Sequence, residues 1–136
     1  MSFSTIRYKQ RYLVVLFNIY GWRILTQTGE VAMAKYVFSY HGGGHPTNPA
    51  EVKKVMDAWG AWFGALGTSV IDGGNAVGKS STVKSDGSLV DGGGANPVSG
   101  YSLIEASSLA DAHQKAKTCP ILMAGGTIEI AQAMDM

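Results

Sequence analysis

The chain of 136 residues predicts an α+β fold, a ferredoxin-like βαββαβ sandwich with an inserted β-hairpin. Three observations predict it. Short β-prone runs and helical patterns follow one another between Lys35 and Ala131 in the order β-α-β, hairpin, β-α-β. Val52, Val55, Met56, Trp59, Trp62, Phe63 and Leu66 recur at helical spacing and make one broad apolar face. Glycine clusters punctuate these runs, and 16 of the 18 glycines follow Met33.

Lys35–Tyr40 is rich in aromatic and β-branched residues and reads as the first strand. The His41-Gly42-Gly43-Gly44-His45-Pro46 stretch must be loop. Asn48 then caps a helix with Pro49 at its first position and Glu51 in an N-x-x-E relative of the capping box; Gly67 stops it. Thr68–Ile71 reads as a second strand, ended by Asp72-Gly73-Gly74. Ser80–Val83 and Ser88–Val90 flank Lys84-Ser85-Asp86-Gly87, whose Asp-Gly pair signals a hairpin. The glycine-rich loop Asp91–Pro97 leads into a strand over Tyr101–Glu105. Ser107 or Ser108 caps a shorter helix with Leu109, Ala112 and Ala116 facing inward and Pro120 ending it. Thr127–Ala131 is the last strand. A sheet of this type carries helices on one face, and a second copy of the chain is the simplest cover for the other.

Composition divides the chain at Met33. Residues 1–32 hold Arg7, Lys9, Arg11 and Arg23 against Glu30, whereas residues 33–136 hold seven lysines, nine acids and no arginine. Three readings of 1–32 are open. Basic Arg7, Lys9 and Arg11, the apolar Tyr12–Tyr20 and Ala32-Met33-Ala34 resemble a secretory signal, interrupted by Asn18, Arg23 and Glu30. Tyr12–Phe17 has the β propensity of an added strand. Gly29-Glu30-Val31 back-translates to a purine-rich stretch ahead of the Met33 codon, as if translation began at Met33. The favoured division is 1–32 as an N-terminal extension, a mis-called start or disordered, and 33–136 as the domain.

The net charge of +1 argues against a nucleic-acid binder. No apolar run reaches the roughly 18–20 residues of a membrane-spanning helix. A single cysteine, Cys119, excludes a disulfide framework and fits the cytoplasm.

Residues 33–136 resemble the YCII-related domain family of the dimeric α-β barrel group. The resemblance lies in Met33–Phe38, the helix Met56–Leu66 with its two tryptophans, Val70–Gly74, Gly100–Ala106 and Ala116–Pro120. It covers none of residues 1–32. It implies a ferredoxin-like fold that pairs as a homodimeric α-β barrel, and little about reaction. Some members carry a His–Asp pair proposed to be catalytic, and a dehydrochlorinating member is known. Here Asp57 or Trp59 stands where those members have a helix histidine, and Asp91-Gly92-Gly93-Gly94 replaces the usual Asp-Gly-Pro-Phe.

Gly73–Ser80 matches G-x-x-x-x-G-K-[ST], the phosphate-cradling loop of nucleotide hydrolases. That chemistry needs a helix after the loop, and a hairpin is expected instead, so turn chemistry explains the match better. His41-Gly42-Gly43-Gly44 resembles an esterase oxyanion loop, but no G-x-S-x-G elbow accompanies it. His41 and His45 lack a set third ligand for a metal, and no cofactor is expected. As candidates for proton transfer, His41 or His45 would be the base and Asp72 the orienting carboxylate; Asp72 reads first as a turn aspartate capping its own backbone. His113 is expected on a solvated helix side. Cys119 is expected to be a buried small hydrophobe. Tyr40, Trp59 and Tyr101 are candidate pocket-lining residues, with the tryptophans core residues first. The expectation is a homodimer binding an unknown small molecule, neutral or weakly anionic because no arginine follows Arg23 to grip a strong anion. Two functions fit it: a lyase- or isomerase-type proton-transfer enzyme, or a non-catalytic binding or dimerisation module.

Overall fold

The computed structural model describes residues 32–136 and, as backbone, residues 3–8, 11–18 and 21–26. The Gly29–Val31 stretch, and the Lys9 and Tyr20 positions of the signal reading, lie outside the described residues. The chain divides into two compact units, Met1–Met33 and Ala34–Met136. In the first, β1 (Phe3–Tyr8), β2 (Arg11–Asn18) and β3 (Gly21–Thr26) form an antiparallel meander. The Tyr12–Phe17 run lies within β2.

The second unit runs β4 (Ala34–His41), α1 (Pro49–Leu66), β5 (Val70–Asp72), β6 (Ser81–Val83), β7 (Leu89–Asp91), β8 (Val98–Ala106), α2 (Leu109–Ala116), α3 (Pro120–Met123) and β9 (Thr127–Gln132). It is a mixed α+β arrangement. Its main sheet is antiparallel throughout in the order β5-β8-β4-β9, and β6-β7 is a separate hairpin closed over Lys84–Ser88.

Local chemistry explains most boundaries. Asn48 accepts a hydrogen bond from the Ala50 amide at 2.9 Å and starts α1. The Gly67 amide bonds to the Phe63 carbonyl and ends it. Gly67–Ser69 then form a 3-10 turn, so β5 starts at Val70 rather than at Thr68. Ser108, not Ser107, caps α2 by accepting from the Asp111 amide at 3.0 Å, while Asp111 accepts from the Ser107 amide in return. Two details of this region depart from expectation. Leu109, at the first position of α2, is exposed, and only Ala112 and Ala116 are buried. Pro120 does not end α2, which stops at Ala116; it opens α3 at a first-turn position, where a missing N–H costs nothing.

Strand alternation places Tyr36, Phe38 and Tyr40 of β4 beside Ser102, Ile104 and Ala106 of β8 on one buried face. Trp62, Ala112, Ala116, Cys119 and Ile121 cover it, with Ile128 and Ile130 alongside. The Trp62 indole donates to the Lys115 carbonyl at 3.1 Å, tying α1 to the residue just before the end of α2. The apolar stripe of α1 is only half used. Trp59, Trp62 and Phe63 pack ring against ring with centroids 5.0–5.7 Å apart, but Val52, Val55 and Met56 remain exposed at 40%, 38% and 65%. Periodicity cannot tell which turns of a helix meet the sheet. None of the described helices is long and apolar enough to cross a membrane.

Candidate functional site

Three glycine-rich segments meet at the end of the sheet where β4 finishes and β8 begins. Gly42, Gly44 and His45 follow β4; Val77–Ser80 precede β6; Gly92–Gly94 and Pro97 lead into β8, whose first residues Val98 and Ser99 complete the lining. They enclose an open cleft of about 550 Å³. A register shift between Tyr40 and His41 lets Tyr40 face Gly100 and His41 face Val98, and Ser99 is the extra residue of that bulge.

Gly78 is the informative wall residue. Its φ is not in the left-handed region, and a Cβ built there would meet nothing within 4 Å. Neither backbone conformation nor packing among the described residues therefore calls for glycine at this position. A bare wall facing a cleft does what a close-approaching ligand needs. The side chains carrying charge on the lining are those of Lys79 and, when protonated, His45. The Lys79 ammonium lies 3.3 Å from the Asp91 carboxylate, with both side chains largely in solvent, so the pair is weak and exchangeable.

The candidate residues named from sequence are distributed around this end and across the sheet. His45 is exposed and lines the cleft. His41 lies just behind it, half-buried: Nδ1 is 2.9 Å from the Asn96 carbonyl and 3.2 Å from that of Pro97. Its Nε2 is buried, makes no hydrogen bond, and sits 3.4 Å from the Glu129 carboxylate. Asp72 is exposed and accepts from the Gly74 amide at 2.8 Å, which is its turn role. It pairs with Leu103, which faces Val37, four residues back along β4 from His41. At ~3.3 Å per residue over four residues and ~4.8 Å per strand over two steps, their Cα atoms lie roughly 16 Å apart. The fold does not bring His41 and Asp72 together.

Tyr40 and Tyr101 lie on opposite faces of the sheet. Tyr40 donates to Ser102 Oγ at 2.8 Å, and Ser102 donates to the Gly73 carbonyl at 2.7 Å, a buried chain that ties β4 and β8 to the turn after β5. Burial pushes the Tyr40 phenol well above its ordinary range. Trp59 stands edge-on to Tyr40 at 5.1 Å. Tyr101 is exposed, and its hydroxyl accepts from the Asn75 amide at 3.3 Å. None of the three lines the cleft. Lys79 and Ser80, which do, belong to the G-x-x-x-x-G-K-S match. They are followed by β6 and not by a helix, so no helix N-terminus faces them.

His113 is exposed. Among the described residues no group of three His, Cys, Asp or Glu side chains is placed to hold a metal. Cys119 is fully buried, and burial pushes its thiol up to about 11. Native protein at about pH 8 is therefore expected to react with a disulfide reagent at least 100-fold more slowly than denatured protein. The raised thiol also sets a sign: stability associated with Cys119 is complete below the ordinary thiol range and declines as pH rises from about 9 towards about 11. Thiol titration against pH in native and denaturing buffer checks both statements; equal rates would contradict the burial.

No family model, no curated protein and no solved structure matches the chain.

Proposed function

We propose that residues 34–136 are a ferredoxin-like, YCII-related domain that binds a small neutral or weakly anionic molecule in the glycine-walled cleft. The bare wall at Gly78 is the observation that carries the binding reading, because nothing among the described residues accounts for it. Binding without chemistry is favoured over proton transfer. The proton-transfer reading pairs His41 or His45 with Asp72, whereas Asp72 caps its own turn and the carboxylate beside His41 is that of Glu129, at 3.4 Å and without a hydrogen bond.

The sheet order β5-β8-β4-β9, with α1 and α2 as the two crossovers, supports the ferredoxin-like reading. Pairing as a homodimeric α-β barrel is part of the same proposal. Val37 and Leu103 face each other on the sheet side away from the helices, and Tyr101 lies two residues from Leu103 on that side. An antiparallel sheet with one apolar-studded face left open within its own unit is suited to a second copy.

The test combines native mass spectrometry of the full chain with a thermal-shift screen against small carboxylic acids, amides and alcohols. A dimer is expected, together with at least one compound that stabilises it. Gly78→Val should leave the melting temperature of the free protein nearly unchanged, as a substitution into open space does, and weaken that compound about tenfold or more. Undiminished binding by Gly78→Val would remove the cleft from the proposal, and a monomer would remove the barrel.

A further inference from the structure

The charges around the cleft carry the binding proposal further, to the chemistry of the ligand, and this inference rests on that proposal. Residues 33–136 hold seven lysines against nine acids, so the unit as a whole is acidic. The cleft lining reverses that balance. Lys79 and His45 are basic, and no aspartate or glutamate lines it. Asp91 reaches the Lys79 ammonium at 3.3 Å from outside the lining. Both side chains lie largely in solvent, so Asp91 neutralises Lys79 in the free protein and gives it up at little cost.

The backbone beside the lysine offers donors. The Val77 amide bonds to the Ser99 carbonyl at 3.0 Å and the Gly92 amide to the Ser80 carbonyl at 2.9 Å, which join the loops of the wall. The amides of Gly78, Lys79, Gly93 and Gly94 have no partner among the described residues. Three of those four residues are glycines, so no side chain shields the amide. Val77, Pro97 and Val98 supply apolar surface to the same lining.

We infer that the cleft takes a small carboxylic acid with an apolar body, whose carboxylate replaces that of Asp91 beside Lys79. A single carboxylate matches the site better than a phosphate dianion, because Lys79 is one point charge and no arginine follows Arg23 to add a bidentate fork. Lys79 is also the lysine of the G-x-x-x-x-G-K-S match. With β6 after it in place of a helix, it lacks the amide array that holds a phosphate. The apolar body rests on Val77, Pro97 and Val98. Asp91 is then a competitor built into the protein, which lowers the affinity for an anion and leaves that for a neutral molecule alone.

The test is an NMR titration of the full chain with benzoate, benzamide and inorganic phosphate, read at the amides of Gly78, Lys79, Gly93 and Gly94. Benzoate and benzamide share a shape and differ in charge, so their comparison isolates the carboxylate. Benzoate is expected to bind about fivefold more tightly than benzamide, the scale of one solvent-facing ion pair. Lys79→Gln should abolish that preference and leave benzamide unchanged. Asp91→Asn should strengthen benzoate by about threefold and leave benzamide unchanged, because only the anion competes with Asp91. Both substitutions fall on solvent-facing side chains, so both variants are expected to keep the parent melting temperature. Equal binding of the two probes, or an Asp91→Asn variant that binds benzoate no better, would overturn the carboxylate assignment and leave the cleft its binding role. Tighter binding of phosphate than of benzoate, or amides that ignore all three probes, would overturn it too. The screen and Gly78→Val decide the binding proposal separately, since they include neutral compounds.

Discussion

Gly74→Ala is expected to destabilise the Ala34–Met136 unit by about 3 kcal/mol or more, the cost of a strained backbone added to a backbone clash. Gly74 has φ of 67°, in the region that side chains disfavour, and a Cβ there would overlap the carbonyl oxygen of Tyr101. That oxygen belongs to β8 and cannot swing aside as a side chain would. The displacement would reach the contacts that hold the edge: Asp72 on the Gly74 amide, Ser102 on the Gly73 carbonyl, and the Tyr101 amide on the Asn75 carbonyl at 3.2 Å. With the Gly73 carbonyl gone, the hydroxyl of buried Ser102 would lose its acceptor, a further cost of ~1 kcal/mol. Gly44→Ala is the comparison, with a similar φ of 62° and open space around its Cβ. It should lose only the conformational part, ~1 kcal/mol. Urea denaturation of both variants makes the measurement, and equal losses would show that φ alone, not the approach to Tyr101, governs Gly74.

Phe38→Ala should cost about 3–5 kcal/mol, a large share of the roughly 5–15 kcal/mol that holds a domain together. Phe38 is fully buried at the centre of β4 and lies against Trp62 at 6.4 Å between ring centroids. The buried core around it is small and largely aromatic or alanine, so few side chains can collapse into the space left. Val55→Ala removes a residue from the same predicted apolar stripe as Trp62, yet Val55 is 38% exposed and should cost under ~1 kcal/mol. If Val55→Ala approached Phe38→Ala in effect, the first half of α1 would have to be covered by something outside the described unit.

These contrasts mark where sequence pattern stopped being informative. Helical spacing treats Val52, Val55 and Met56 as the equals of Trp59 and Trp62, because a period reports which side of a helix is apolar and not which turns meet a partner. Leu109 failed as an inward residue for a similar reason: it starts α2, ahead of the turns that reach the sheet. Turn chemistry transferred well. Asn48, Gly67, Ser108 and the Asp86-Gly87 hairpin act within a few residues of themselves, and such short-range bonds can be read from neighbours alone.

Residue types and their order determined that this chain has a β-α-β, hairpin, β-α-β succession, where most of its elements begin and end, and that its loops are glycine-rich. They also marked His45 beside a glycine loop. Tertiary structure alone decided which loops meet. Strand register separated His41 from Asp72, put Tyr40 and Tyr101 on opposite faces, and brought Gly78, Lys79 and Gly92–Gly94 up to the loop after β4. Register depends on how distant strands pair, and a shift of one residue moves a side chain to the other face of the sheet. Local sequence carries no record of that choice, and so a site assembled from three separate loops becomes visible only when the chain is folded.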